Sequence, residues 1–176
     1  MAKVANSYLR AVVDGLCDWG IETLVYVPSS HCAPVIRELQ ARGVRSLLAN
    51  REEEAIGIAG GLRLMGARSA IVMQDNGFGN ALTALGTFAV AYHVGLPIVA
   101  NARGGIGEYN SMIQAISGGV PRLLEVLGIP LYALSHRDTV ETWRSTTAAA
   151  AKLATVQHRP VVTIFDALDP AIAGAP

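Results

Sequence analysis

Short apolar runs alternate with longer amphipathic stretches along the whole 176-residue sequence. The short runs predict strands, and the amphipathic stretches predict helices. Because strands and helices alternate, and the strands read as continuous apolar segments, the pattern favours a parallel sheet covered by helices. We predict an α/β fold, a six-stranded, mostly parallel sheet with helices on both faces, in a single domain over residues 1–176. The predicted strands are "TLVYV", "RSLLAN", "SAIVMQ", "PIVANA", "LYAL" and "PVVTIF".

Composition and charge narrow the class of protein. The sequence is 51% hydrophobic and 16% charged, and its formal net charge of zero gives no basic footprint for nucleic acid. No apolar run reaches the ~18–20 residues of a membrane helix, and the N-terminus does not resemble a signal peptide. Cys17 and Cys32 fit no metal spacing, which favours free thiols and a cytoplasmic location. The surplus of apolar residues predicts a surface shared with another subunit.

Ligands of open α/β sheets bind beyond the carboxyl ends of the strands, so the segments that follow the strands are the candidate site. The glutamate run in "NREEE" allows two interpretations. In the first, Asn50 caps a helix and Glu53 completes a capping box. In the second, Glu52 shares a buried helix face with Ala55 and Ile56, and a desolvated carboxyl group there would suit an acid that shares a proton.

The helix that follows the glutamates contains Gly57, Gly60 and Gly61, and each glycine costs about 1 kcal/mol of helix stability relative to alanine. They indicate that another helix or a flat ligand approaches closely, with ordinary helix–sheet packing as the alternative. The segment "DNGFGN" predicts a glycine turn and a helix capped by Asn80, where either a phosphate binds or the chain simply turns. Its glycines match neither the Walker nor the dinucleotide pattern.

Polar residues also follow the first and fourth strands. Arg103 is either solvated or anchors an anionic group of a ligand. Ser29, Ser30 and His31 follow the first strand, but their adjacency in sequence is not evidence for a nucleophile, and His31 can equally form a local hydrogen bond.

Four blocks occur in a characteristic order: "VPSS", "ANREEEAIGIAGG", "VMQDNGFGNAL" and "GLPIVANARGG". Together they resemble the pyrimidine-binding domain of thiamine diphosphate-dependent decarboxylases, the group that includes sulfopyruvate and phosphonopyruvate decarboxylases. The resemblance covers essentially the whole sequence. The glutamate of that family precedes a helix glycine by nine residues, and counting back from Gly61 identifies Glu52, while Glu53 keeps the capping role.

The resemblance implies that Glu52 is the catalytic residue, which activates the aminopyrimidine of the cofactor thiamine diphosphate. It implies further cofactor contacts at Pro28, Gln74, Asn76, Gly77 and Phe78, and substrate contacts at Ser30, His31 and Arg103.

The family binds the diphosphate and its Mg²⁺ through a second domain with a Gly-Asp-Gly motif, which this sequence lacks. The resemblance therefore implies a hetero-oligomer with a β subunit that carries this domain and holds Mg²⁺, and no metal ligand in this chain. The expected activity is decarboxylation of a small anionic 2-oxo acid similar to sulfopyruvate or phosphonopyruvate. Two alternatives stay open: a non-catalytic α/β module that binds a nucleotide or a partner, and a thiamine diphosphate-dependent carboligase or decarboxylase of an aromatic 2-oxo acid.

Overall fold

The computed structural model describes residues 7–166, 168 and 169. Within them six strands form one sheet, and every pairing between neighbouring strands is parallel. The predicted α/β fold is confirmed, and the sheet is parallel throughout. The strands are β1 (Thr23–Tyr26), β2 (Arg45–Leu48), β3 (Ser69–Gln74), β4 (Pro97–Ala102), β5 (Leu131–Leu134) and β6 (Val161–Asp166).

Helices cover both faces of this sheet, as predicted. The helices are α1 (Ser7–Trp19), α2 (Ala33–Ala41), α3 (Glu52–Leu64), α4 (Phe78–Ala84), α5 (Ser111–Val126) and α6 (Val140–Gln157). Buried side chains of α1, α2 and α6 form a core cluster that includes Trp143 and Phe165. Those of α3, α4 and α5 form a second cluster on the other face, which includes Met73 and Phe78.

The order of the strands across the sheet is β2-β1-β3-β4-β6-β5. From β1 the chain passes to β2 on one side and then returns to β3 on the other side of β1. A reversal of this kind leaves a crevice beyond the carboxyl ends of the two strands, and ligands of open α/β sheets bind there. The segments that follow these two strands, residues 27–31 after β1 and residues 75–78 after β3, therefore start at this crevice.

Local sequence chemistry accounts for several helix boundaries. Gly20 and Gly43 follow α1 and α2 with φ angles of 84° and 79°, a region that glycine adopts without strain. Asn110 caps α5, because its side-chain oxygen accepts a hydrogen bond of 3.1 Å from the backbone N–H of Met112. These elements therefore begin and end where local sequence chemistry places them.

The predicted capping box at the start of α3 is wrong. The N-cap residue is Arg51, with extended backbone angles, and its side chain forms an ion pair of 2.6 Å with Glu53. The backbone N–H of Asn50 donates to Glu54 Oε2 at 2.8 Å. Because the helix begins one residue later than expected, Glu54 takes the position that reaches back to the preceding turn.

The prediction that Asn80 caps the next helix is also wrong. A 3-10 turn over Asp75–Gly77 leads directly into α4, so Asn80 lies inside the helix. The helix continues as a π-helical segment over Leu85–Val90, which the sequence pattern did not indicate. Because Asn80 lies inside the helix, its side chain does not cap the backbone N–H groups, and its amide is directed towards α3.

The glycines of α3 differ in their surroundings. A Cβ atom on Gly60 would lie 2.9 Å from Phe88 Cζ, so the predicted close approach is confirmed at this position, within the chain itself. Gly57 and Gly61 are exposed, and no heavy atom lies within 4 Å of a Cβ atom built on either. Close packing inside this chain therefore explains only one of the three glycines.

We expect Gly60→Ala and Gly57→Ala to have opposite effects on the free energy of unfolding. Alanine at 60 overpacks against Phe88, which costs about 1–3 kcal/mol, partly offset by helix propensity. Alanine at 57 meets no neighbour and should stabilise by about 0.4–1 kcal/mol, because it restricts the unfolded chain. Urea denaturation of the two variants measures both changes, and equal effects would contradict the packing difference.

Candidate active site

Glu52, the first residue of α3, lies at the crevice between β1 and β3. Its Oε2 accepts a hydrogen bond of 2.8 Å from Asn80 Nδ2 of α4. Its side chain is half-buried rather than fully buried as expected. No hydrogen bond to Oε1 is found among the described residues, so one oxygen of this carboxylate remains available to a ligand.

Gly77 packs directly on this carboxylate. A Cβ atom at position 77 would lie 2.5 Å from Glu52 Oε1, well inside van der Waals contact. Any side chain here would displace the carboxylate or cover it. The residue predicted as a cofactor contact therefore acts in this chain by leaving room for Glu52.

Asp75 connects the ends of two strands with a helix. Its side chain is buried; Oδ2 accepts from the backbone N–H of Arg103 at 2.9 Å, and Oδ1 accepts from Ser117 Oγ at 2.7 Å. Burial raises the pKa of Asp75, and the hydrogen bonds from Arg103 and Ser117 act in the opposite direction. Asp75 thus fixes the end of β4 and the middle of α5 against the turn after β3.

Gln74 and Asn76 flank Asp75 on this turn. Gln74 Nε2 donates to Asn76 Oδ1 at 2.7 Å, and both residues are half-buried. They give the crevice a polar edge close in sequence to Gly77. Phe78 behaves differently, since its side chain is fully buried in the core, so its predicted contact with a cofactor is not supported by its position.

Arg103 forms a buried ion pair with Glu108. Arg103 Nε and Nη2 donate to the two oxygens of Glu108 at 2.7 and 2.6 Å, and the two side chains are only 5% and 2% exposed. The backbone N–H groups of Gly104 and Asn110 donate to the same carboxylate at 3.0 and 2.8 Å. Hydrogen bonding by Arg103 is the main cause that lowers the pKa of Glu108 from 4.5 to about 2.

His31 lies on the other side of Arg103. Its Nδ1 is 3.3 Å from Arg103 Nη1 and 3.4 Å from Ser30 Oγ. A guanidinium can only donate, so Nδ1 accepts and the neutral ring carries its proton on Nε2. Burial is the main cause that lowers the pKa of His31, the charge of Arg103 lowers it further, and Glu108 opposes both.

Asn101, in β4, bonds two side chains of the segment that contains His31. It is fully buried, and its Oδ1 accepts from Cys32 Sγ at 2.9 Å and from Ser29 Oγ at 3.2 Å. Among the residues that the structure describes, Asn101 Nδ2 has no hydrogen-bond partner. Burial raises the pKa of the Cys32 thiol to about 12, so this thiol serves as a hydrogen-bond donor and not as a nucleophile.

The structure brings most of the predicted residues into one connected group. Glu52 packs against Gly77, which lies on the same turn as Asp75. Asp75 accepts a hydrogen bond from the backbone of Arg103, and the Arg103 side chain contacts His31. Pro28 and Ser30 also line a cleft of about 420 Å³ beside α2, and Glu52 is not among the residues that line it. Four residues of the group were not predicted as site residues from the sequence: Asp75, Asn80, Asn101 and Glu108. Glu108 carried a signal, since an acid in a glycine-rich loop follows Arg103 by five positions.

Two absences hold for residues 7–166, 168 and 169, the described part of the chain. No group of three or more histidine, cysteine, aspartate or glutamate side chains is placed to hold a metal ion. No helix there has the length and apolar composition that crossing a bilayer requires.

A parallel sheet with an available carboxylate and a polar turn at its topological reversal has the architecture of an α/β domain that binds a ligand at this edge. The chain belongs to the family described as thiamine pyrophosphate enzyme, N-terminal TPP binding domain, whose profile matches residues 7–117.

Named relatives are similar to this chain over most of its length. The sulfopyruvate decarboxylase subunit alpha of Methanococcus maripaludis is 28% identical over 90% of this chain and 94% of the relative. The protein of the same name from Methanothermobacter thermautotrophicus is 31% identical over 73% of this chain and 77% of the relative. A solved 2-oxoglutarate:ferredoxin oxidoreductase from Magnetococcus marinus shares the fold, with a TM-score of 0.66 and 22% identity over 92% of this chain and 29% of that chain.

We expect His31 to titrate below its ordinary pKa of 6.5 when followed by NMR of the folded chain. The folded state binds a proton at His31 more weakly than the unfolded state does. The contribution of neutral His31 to the free energy of unfolding is therefore complete above pH 6.5. It declines as the pH falls below it. His31→Gln, which cannot be protonated, should remove that part of the pH dependence of unfolding. Titration at or above 6.5 would contradict the burial of His31 next to Arg103.

Proposed function

We propose that this chain is the pyrimidine-binding subunit of a thiamine diphosphate-dependent 2-oxo acid decarboxylase. The observation that carries the proposal is the half-buried Glu52 with one unbonded oxygen, held by Asn80 and packed on Gly77, in a chain of this family. The names of the relatives, sulfopyruvate decarboxylase subunit alpha, support a small 2-oxo acid with a second anionic group as substrate. The proposed domain spans the whole chain.

The residues around Glu52 fit the pyrimidine ring of the cofactor. Glu52 would hold a proton at the ring nitrogen N1′, which requires a carboxylate oxygen free of other partners. Asn80 fixes the orientation of this carboxylate, and the missing side chain of Gly77 leaves space for its second oxygen, which has no hydrogen bond among the described residues. Gln74 and Asn76 offer further polar groups at the same edge. When bound, the cofactor supplies an electron sink for the electron pair that remains as carbon dioxide leaves.

The substrate would lie on the opposite side of Asp75. Arg103 directs Nη1 towards His31, and the Nε2–H of His31 is the donor that remains unused by this contact. Ser30 adds a hydroxyl group beside the same ring. These three residues would orient an anionic 2-oxo acid through hydrogen bonds, which favours a defined position for the carboxylate that leaves.

We further propose that a partner chain holds the diphosphate and Mg²⁺, and that the two chains form a hetero-oligomer in the cytoplasm. The word "subunit" in the names of the relatives supports a partner, and so does the exposure of apolar side chains near the site. Ile106, Tyr109 and Met112 are all largely exposed. Exposed Gly57 and Gly61 on α3 offer a flat helix face to which a second chain can pack closely.

We expect Glu52→Gln to slow hydrogen–deuterium exchange at C2 of the cofactor in the complex reconstituted with its partner. Glutamine keeps the shape and a hydrogen bond to Asn80, but it does not hold the proton. One well-placed acid–base group contributes about 10²–10⁴-fold, so the exchange rate should fall by that order. The measurement reports activation of the cofactor independently of the substrate.

Glu53→Gln and Glu54→Gln are the matched controls on the same helical turn. Glu53 pairs with Arg51, and Glu54 bonds the backbone of Asn50, so neither substitution should slow exchange appreciably. Equal exchange in all three variants would favour the alternative of a non-catalytic module. Slowing confined to the Glu53 variant would show that the wrong glutamate is assigned.

We expect Gly61→Leu to prevent assembly with the partner while the chain itself stays folded. A side chain at 61 meets no atom of this chain within 4 Å, whereas at a close interface it overpacks. Ser145→Leu, at an exposed position of α6 on the opposite face, is the control. Size-exclusion chromatography of each variant mixed with the partner measures assembly, and normal assembly of the Gly61 variant would place the interface elsewhere.

A further inference from the structure

Arg103, the residue proposed to meet the anionic substrate, already has a complete counter-ion. Its Nε and Nη2 are both bound to Glu108, and both side chains are almost fully excluded from water. A buried pair of this kind has no net charge. The substrate therefore meets a neutral pair and not a full positive charge.

Glu108 is firmly held in this position. Two guanidinium N–H groups and the backbone N–H groups of Gly104 and Asn110 donate to its two oxygens. Separating a buried ion pair is strongly unfavourable, and a carboxylate of the same chain competes at high effective concentration. An anion from solution would not displace it, so Glu108 stays beside Arg103 while substrate binds.

Other groups near Arg103 do not restore positive charge. Tyr109 lies over the guanidinium, 5.0 Å from Arg103 Cζ to the ring centroid, and Nη1, the nitrogen not bonded to Glu108, contacts His31. His31 beside that edge is held neutral by its lowered pKa. Asp75 beneath the backbone of Arg103 is a second acidic group.

We propose that Glu108 determines substrate specificity: the neutral Arg103–Glu108 pair accepts a 2-oxo acid whose second group carries one negative charge and disfavours one that carries two. The inference rests on the proposed function and deepens it. A sulfonate carries one charge at neutral and alkaline pH, whereas a phosphonate of nearly the same tetrahedral shape carries two above its second ionisation. Charge, and not shape, separates the two compounds at this site.

The test compares two substrates of the reconstituted complex, pyruvate with a sulfonate at carbon 3 and pyruvate with a phosphonate at carbon 3. The pH is about 8, above the second pKa of the phosphonate, which lies near the second pKa of phosphate esters. Wild type should have the higher kcat/KM for the sulfonate. Glu108→Gln should shift the ratio of the two kcat/KM values towards the phosphonate by about tenfold, the difference between a neutral and a charge-assisted contact.

Two control variants separate charge from position. Glu108→Asp keeps the charge and should keep the wild-type ratio even if both rates fall. Glu125→Gln removes the same charge from an exposed position at the end of α5 and should change neither rate nor ratio. A ratio unchanged in Glu108→Gln, or shifted equally in Glu108→Asp, would overturn the proposal and leave Glu108 as a residue that only positions Arg103.

A second measurement does not depend on turnover. The full chain alone is titrated with inorganic sulfate, a double anion, and with methanesulfonate, a single anion, while NMR follows the ring of His31. Glu108→Gln should raise the affinity for sulfate about tenfold relative to methanesulfonate, and Glu125→Gln should not. If the wild-type complex converts neither 2-oxo acid, the proposed function fails, yet the sulfate titration still decides the role of Glu108. An equal gain for both anions would reject that role.

Discussion

The candidate site depends on the buried carboxylate of Asp75. Its two oxygens bind the backbone of Arg103 and the hydroxyl of Ser117, residues that lie 28 and 42 positions away. Without it, a buried N–H and a buried hydroxyl would lose their partner, which costs about 1–3 kcal/mol for each unsatisfied group. Asp75 also begins the 3-10 turn that carries Gly77 to Glu52. One side chain therefore fixes both the glutamate side and the arginine side of the crevice.

Three carboxylates within this small region have different surroundings, and these surroundings separate their roles. Asp75 is fully bonded inside the protein, and its burial raises its pKa. Glu108 is bonded by four donors, and the ion pair with Arg103 holds its pKa near 2. Glu52 accepts one hydrogen bond from Asn80 and keeps its other oxygen unbonded among the described residues. Of the three, it is the carboxylate able to accept a new partner.

The surface of the chain is consistent with a subunit that completes its site through another chain. Apolar side chains are exposed on the loop after β4 and at the start of α5, immediately beside the Arg103–Glu108 pair. On α3, the glycine that packs inside the chain is Gly60, whereas Gly57 and Gly61 face outwards. A partner that packs on these surfaces would enclose the crevice and lower the dielectric around its charges, which strengthens electrostatic interactions there.

Glu52 was singled out through the resemblance to a known family, and its role stays a prediction. The sequence by itself determined the order of strands and helices and the parallel character of the sheet. It could do so because hydrophobic periodicity and the conformational freedom of residues such as Gly20 act locally. It mispredicted the cap at Asn50, because Glu54 and not Glu53 reaches back to the backbone there, and the cap at Asn80, because a 3-10 turn starts the helix earlier, at Phe78. Only the tertiary structure decided that Asn80 binds Glu52 and that Glu108 neutralises Arg103. The first contact joins side chains 28 positions apart, and the second depends on how a glycine-rich loop folds back, so neither follows from a local pattern.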